Sequence, residues 1–274
     1  MYENPNILIS VVVPCFNQAA YLEEALESVI DQTFLKWECI IVNDGSTDQT
    51  QFIIDKWVKK DERFIHFYQE NSGLSSARNL GISKAKGFYI LPLDADDKIS
   101  NDYLDLAFNQ FENNPNLKVV YSKAEKFGSE NGAWNLRPFS LFNLALGNVI
   151  YCSGFFKKAD WERIGGYDED MHFGFEDWEF WIRLLKNEEG EVLCIDKVCF
   201  YYRVKESSML KAIDSHKKQD LIQYITIKHP DFFVKQFGTY HSYMQNGLKE
   251  NADLKRLLRS RKHAIKTLLR GLFY

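Results

Sequence analysis

Four apolar runs set the frame for this chain. Ile7-Leu8-Ile9-Ser10-Val11-Val12-Val13, Trp37-Glu38-Cys39-Ile40-Ile41-Val42, Phe64 to Tyr68 and Gly87 to Leu91 recur roughly every thirty residues, each followed by a stretch of helical periodicity. The first two are rich in β-branched residues and lack polar alternation, as strands covered on both faces do. Leu22, Ala25, Leu26, Val29 and Ile30 fall on one helical stripe, which predicts a helix from Ala19 to Asp31 with Asn17 as its cap. Asp48 or Ser46 is expected to cap a second helix to about Lys60, and Asn71-Ser72-Gly73 to open a third to about Ala85. Strands alternating with helices dictate βαβ units. The fold class is therefore α/β, a mostly parallel, Rossmann-like sheet with helices on both faces, where ligands bind off the carboxyl ends of the strands.

Beyond Lys98 the pattern loosens. A helix over Asn101–Asn113, a strand near Lys118–Ser122, a loop over Gly128–Pro138 and a strand over Val149–Phe156 are expected. A short helix over Lys158–Ile164, ended by Gly165-Gly166, and a helix over Trp178–Lys186 follow, then one or two strands over Glu191–Arg203. From Ser207 the reading is helical, interrupted at Pro230 and near Gly238. With 274 residues, 45% apolar and 26% charged, the chain is long enough to bury a sizeable core and has the balance of a soluble globular protein. No run is long enough to span a bilayer, and Met1–Ile9 has no basic-then-apolar leader, so a cytoplasmic location is expected. Five cysteines, an odd number with no C-x-x-C pair and no His at ligand spacing, read as reduced thiols and argue against zinc.

Several short stretches could carry chemistry. In Leu91-Pro92-Leu93-Asp94-Ala95-Asp96-Asp97, residues i and i+2 of an extended chain share a side, so Asp94 and Asp96 can converge on a divalent cation. The same run also reads as a solvated turn that caps the next helix. Asp44, in Asn43-Asp44-Gly45-Ser46, stands where a strand meets a turn and can accept a hydrogen bond from the ring N–H of a base such as uracil or thymine. Phe16 could stack beside that base, and a plain turn with a helix cap is the other reading. Gly73 to Asn79 opens a helix whose free N–H groups could face phosphate, with Arg78 as charge partner or, equally, as a surface ion pair. It is not a P-loop. Phe175-Glu176-Asp177-Trp178 places two acids at a helix start among aromatic residues of the kind on which sugar rings stack. A carboxylate there could take a proton from an incoming hydroxyl.

V-V-V-P-C-F-N, V-N-D-G-S-T-D, N-S-G-L-S-S-A-R-N-L-G, L-D-A-D-D and G-F-E-D-W-E, in this order and spacing, resemble the family 2 inverting glycosyltransferases of the GT-A fold. The resemblance covers roughly Ser10 to Arg203. It implies a hexosyltransferase-like enzyme of bacterial polysaccharide or cell-envelope synthesis, moving a sugar from a nucleoside diphosphate sugar, a UDP-sugar above all, with Mn2+ or Mg2+. Pro14, Phe16, Asn17, Asp44, Gly73, Arg78, Asp94, Ala95 and Asp96 would then line the nucleotide-sugar site. Asp94 and Asp96 would meet the metal, with Asp94 towards ribose or metal. Asp177 matches the catalytic base and Glu176 its orienting partner, with Phe175 and Trp178 towards the acceptor. Arg203 lies where the family often closes a loop over the nucleotide, and an exposed strand-end Arg is the competing account. Residues 1–98 would form the nucleotide-sugar-binding half, 99–205 the acceptor and catalytic-base half, and 206–274 a C-terminal helical extension. A non-catalytic sugar-nucleotide-binding module and a nucleotidyltransferase are the alternative functions. The latter lacks its expected Gly-rich loop with Arg and Lys near the N-terminus.

The tail has a character of its own. Lys255, Arg256, Arg259, Arg261, Lys262, Lys266 and Arg270 lie in a stretch with no acid after Leu254, although the whole chain carries a formal charge of −4. Leu254, Leu257, Leu258, Ile265, Leu268, Leu269, Leu272 and Phe273 share a helical stripe. Such a helix suits the headgroup region of an anionic leaflet, which would make the enzyme peripheral and its acceptor a lipid-linked saccharide. Docking on its own domain or on a second subunit, as in a homodimer, explains the stripe equally well. Nucleic acid is the poorer partner, since the body of the chain is acidic.

Overall fold

Strand β1 (Ile9–Cys15) is buried along its whole length, and β2 (Trp37–Asp44), equally buried, runs parallel to it. β3 (Phe64–Gln69) pairs parallel with the far side of β2, and β4 (Tyr89–Pro92) pairs parallel with the opposite side of β1. The chain therefore steps outward from β1 to β3 and then returns past β1. Because such crossovers are right-handed, that reversal sends α1 (Leu22–Ile30) and α2 (Thr50–Lys60) to one face and α3 (Leu74–Lys84) to the other. α3 lies close on its face. A Cβ on Gly81 would come within 2.5 Å of Val12 Cγ1 and 3.1 Å of Val42 Cγ2. A computed structural model of the chain describes residues 7–187, 190–206 and 214–271, with backbone alone at 240, 241, 243, 258 and 263–271.

The second half continues the same sheet with mixed pairing. It contains β5 (Lys98–Ile99), α4 (Tyr103–Asn113), β6 (Leu117–Gly128), β7 (Gly132–Trp134), α5 (Leu141–Leu146), β8 (Phe155–Lys157), α6 (Lys158–Ile164), α7 (Glu176–Leu185) and β9 (Glu191–Val204). Strand order is β3-β2-β1-β4-β8-β6-β9-β5, with β7 on β6. β8 is antiparallel to both β4 and β6, whereas β6 and β9 run parallel with register shifts. The expected α/β class with a Rossmann-like half stands, and the departures from parallel pairing all fall after Lys98.

Local differences have local causes. Asn17 takes a left-handed backbone, φ 53°, and its Oδ1 accepts the Thr47 N–H at 2.8 Å, so it braces a loop, and α1 starts at Leu22 without a side-chain cap. Asp48 Oδ1 does accept the Thr50 N–H at the first residue of α2. The strand expected over Val149–Phe156 is confined to β8, because Gly154 N–H closes a turn on Tyr151 O and its Cα lies against the Trp181 ring. α5, capped by Ser140, was not foreseen.

The chain divides after Ile225 into two compact units. Helices span Ser215–Lys228, Pro230–Phe237 and Tyr240–Gly271, with the expected breaks at Pro230 and Gly238. Residues 207–213, read as helical, lie outside the described residues. Leu254 and Leu257 of the apolar stripe are exposed, while the side chains of Leu258, Ile265, Leu268, Leu269, Leu272 and Phe273 lie outside the described residues, as do those of Lys266 and Arg270. Among the described residues no helix is long and apolar enough to cross a membrane.

Candidate active site

The acids after β4 do not continue a strand. Asp97 N–H donates to Asp94 O at 3.0 Å, closing a turn over Asp94–Asp97. In a turn, positions i and i+3 converge and the i, i+2 rule no longer holds. Asp94 and Asp97 accordingly face one another with Cys152, their donor atoms all within 4.8 Å, while Asp96 Oδ2 sits 2.5 Å from Lys205 Nζ. Ala95 is buried beneath the turn. Cys152 arrives from the turn before β8, its thiol 3.6 Å from Asp94 Oδ2. Asp97 is buried. Its Oδ1 accepts the Arg203 N–H at 2.7 Å, and its Oδ2 has no hydrogen-bond partner among the described residues. Burial, and then the charges of Asp96 and Asp94, push its carboxyl well above the carboxylate range. Concentrated acid oxygen, one atom of it unpartnered, fits a divalent cation.

Arg78 ties this turn to α7. It is wholly buried, donating Nη2–H to Asp94 Oδ1 and Nη1–H to Glu176 Oε1, both at 2.6 Å. The side chain expected beside phosphate is thus committed to two carboxylates, and it acts on Asp94 rather than on open solvent. A planar guanidinium suits that double duty.

α7 begins immediately after Phe175, whose backbone is left-handed at φ 64°. Asp177 Oδ1 accepts the Trp178 N–H at 2.7 Å, and Oδ2 accepts from Asn148 Nδ2 at 2.8 Å. The carboxyl keeps some solvent contact but is enclosed by protein atoms. Burial first, then the neighbouring Glu176, push it up to about 7 against the pull of Arg78. Trp178, expected as an acceptor platform, is only 5% exposed and donates its indole N–H to Leu144 O at 2.7 Å. Its ring is packed, because satisfying a buried indole N–H fixes it inward. Phe175, half-buried, and Phe173, 45% exposed, are the aromatic surfaces beside the acids.

Asp44 ends β2. Oδ1 accepts from Gln69 Nε2 (2.6 Å) and Ser72 N (2.8 Å), and Oδ2 accepts from Gly73 N (3.0 Å). The Ser72 and Gly73 amides, just ahead of α3, therefore face Asp44. One lone pair of Oδ2 is left for a further donor. Phe16 is exposed next to the end of β1, whereas Pro14 is buried within that strand.

Acids delivered in this order by the ends of β2, β4 and α7 can be compared with known proteins. The profile described as Glycosyl transferase family 2 matches residues 10–174, more than half of the chain. The chain belongs to that family. Chondroitin synthase of Pasteurella multocida (strain Pm70) is 28% identical over 221 residues, 78% of this glycosyltransferase and 22% of the synthase. The chain thus spans about a fifth of that relative's length. Glycosyltransferase GlyG of Streptococcus pneumoniae serotype 4 is 42% identical over 106 residues, 38% of this chain and 35% of GlyG. Among solved structures, S. aureus TarS 1-349 in complex with UDP-GlcNAc superposes with a TM-score of 0.67 at 21% identity, over 84% of this chain and 71% of TarS 1-349. That likeness is one of fold.

In this glycosyltransferase the Arg203 guanidinium packs over Phe127 and Tyr21, its centre 4.3 and 4.7 Å from the two rings. Its Nε–H donates to Asp96 O at 2.8 Å, and Nη2 lies 3.0 Å from Glu24 Oε1 in an ion pair without hydrogen-bond geometry. Arg203 therefore braces the acidic turn from behind. A groove of about 630 Å³ between α3 and α6 includes Gln69, the partner of Asp44, in its lining. Three residues that the fold brings to this candidate site had no role assigned from sequence. Asp97 was visible in D-x-D-D, where only Asp94 and Asp96 were assigned, and neither Asn148 nor Cys152 carries any local signal.

Proposed function

We propose that this glycosyltransferase moves a sugar from a nucleoside diphosphate sugar, a UDP-sugar, to a hydroxyl of a saccharide or lipid-linked saccharide. The transfer inverts the anomeric carbon and depends on a divalent cation, Mn2+ or Mg2+. The single observation that carries this reading is the bridge Asp94–Arg78–Glu176, which ties an acidic, cation-compatible turn to the helix bearing Asp177. The enclosed carboxylate of Asp177 takes the proton of the acceptor hydroxyl as that oxygen attacks opposite the departing diphosphate. Asn148 and the Trp178 N–H hold the two carboxylate oxygens in place. The reacting sugar carries oxocarbenium-like charge, as in inverting hydrolases, and the nearby acids favour it. Asp44 Oδ2 meets the base N–H beside Phe16. The acidic turn that carries Asp94 and Asp96 would hold the cation, which would supply charge to offset that of the departing diphosphate.

On this reading 1–98 is the donor half, 99–205 the acceptor half and 206–274 an extension, and the change from parallel to antiparallel pairing beyond β4 supports the first of these bounds. Seven basic residues after Leu254 support peripheral contact with an anionic leaflet, where a lipid-linked acceptor would lie. The test is a panel of UDP-sugars and acceptors with Mn2+, scored by UDP release and by the anomeric proton coupling of the product. Product with retained configuration, or pyrophosphate in place of UDP, overturns the reading.

A further inference from the structure

We propose that Lys205 competes with the divalent cation for Asp96, so that the protein holds the ion weakly until a nucleoside diphosphate is bound. This rests on the cation dependence proposed above and makes Lys205 the residue that couples the ion to the donor. Strand pairing delivers it. β5 and β9 run antiparallel with Lys98 opposite Tyr201, so the end of β9 passes along the acidic turn that precedes β5. Arg203 there donates Nε–H to Asp96 O at 2.8 Å, and two residues further on the Lys205 Nζ stands 2.5 Å from Asp96 Oδ2. The ammonium also lies 5.1 Å from the centre of the Tyr21 ring, a second attraction that keeps it over the turn.

Asp94 and Asp96 thus each carry a cation of the protein itself, Arg78 on the first and Lys205 on the second. A divalent ion arriving alone meets a largely neutralised pair and is repelled by the ammonium on Asp96. The two contacts are unequal. The Arg78 side chain is 1% exposed and is anchored a second time by Glu176, whereas that of Lys205 is 19% exposed at the end of a flexible stem. Lys205 is therefore the one that yields. A diphosphate favours the exchange, because its oxygens offer negative charge to the displaced ammonium and to the ion together.

The test follows Mn2+ binding to the full chain by the electron paramagnetic resonance signal of the free ion, with and without UDP. Lys205→Met keeps the length of the side chain and removes its charge. Without UDP it should bind Mn2+ about tenfold more tightly, since even with water-like screening a unit charge about 5 Å from a divalent ion weakens binding by that much. Lys205→Arg should stay close to the unaltered protein. UDP should then raise Mn2+ affinity by a smaller factor in Lys205→Met than in the unaltered protein, because the two bindings are linked. Thermal melts establish that each variant is folded, and Lys205→Gln repeats the measurement should Lys205→Met melt below the assay temperature. If Lys205 only braces the turn, Mn2+ affinity is unchanged or lowered when its charge is removed, and either result overturns the competition while leaving cation dependence intact. An equal UDP enhancement in both proteins overturns the coupling to the donor. Absence of Mn2+ binding in every protein, with UDP present, overturns cation dependence and this proposal with it.

Discussion

Arg78 Nη1 donates to Glu176 Oε1 across 2.6 Å, although the two residues stand 98 positions apart in the chain. The contact joins the helix that follows β3 to the helix that carries the proposed base, and the other arm of the guanidinium holds Asp94.

Removing that cation strands two carboxylates. Arg78→Ala should destabilise the fold by about 3–5 kcal/mol, since breaking a buried ion pair leaves uncompensated charge. Arg78→Lys should recover only part of this, because a lysine cannot present two planar N–H arms. Chemical denaturation of both variants checks the order; equal stability of Arg78→Lys and the unaltered protein would refute it.

Asp177→Asn should lower kcat by about 10²–10⁴-fold with little effect on donor affinity. In the unaltered protein the rate should climb through pH 7 as the carboxyl, held up to about 7, loses its proton. The same group makes stability depend on pH. The folded state keeps a proton that the unfolded chain gives up near pH 4, so stability falls as pH rises from about 4 towards 7 and is level above that. Melting curves between pH 5 and 8 should show this slope, and Asp177→Asn should flatten it.

Asn148→Ala removes a hydrogen bond from the charged form of Asp177. The acidic limb of the rate profile should therefore move to higher pH, with the plateau rate less affected than the rate at pH 6.5. A profile that drops evenly at every pH would assign Asn148 to folding alone.

Ser10→Ala supplies the contrast, at the opposite end of β1. Ser10 Oγ donates to the buried Glu38 at 2.7 Å and accepts the Gly87 N–H at 2.9 Å. Its loss should cost about 1–3 kcal/mol of stability by leaving buried polar groups unpaired. Activity per folded molecule should not change, as saturating assays on the purified variant would show.

The first half of the fold was legible because its information is local. Unbroken β-branched runs such as Val11-Val12-Val13 can only be buried strands, and the helical stripe of α1 leaves one way to cover them. The acids at 44, 94 and 177 were legible for a related reason, since each ends a strand or begins a helix. What the sequence hid is pairing at a distance. The long parallel contact of β6 with β9, and β8 wedged antiparallel beside β4, depend on which surfaces remain uncovered once the first half has formed. Arg78 looked like a helix-start cation, and only the fold places Glu176 opposite it. The turn at Asp94–Asp97 was decided by one backbone hydrogen bond, which exchanged Asp96 for Asp97 as the neighbour of Asp94.

Phe175 holds its left-handed backbone at a cost of about 1 kcal/mol, one residue before the helix of the proposed base, with its ring edge-on to Trp178 at 5.9 Å. An engineer seeking heat tolerance would turn first to this residue, because glycine adopts the same backbone freely. That exchange would also strip the aromatic wall beside the proposed acceptor site, so on that reading hardiness and substrate choice meet in a single side chain.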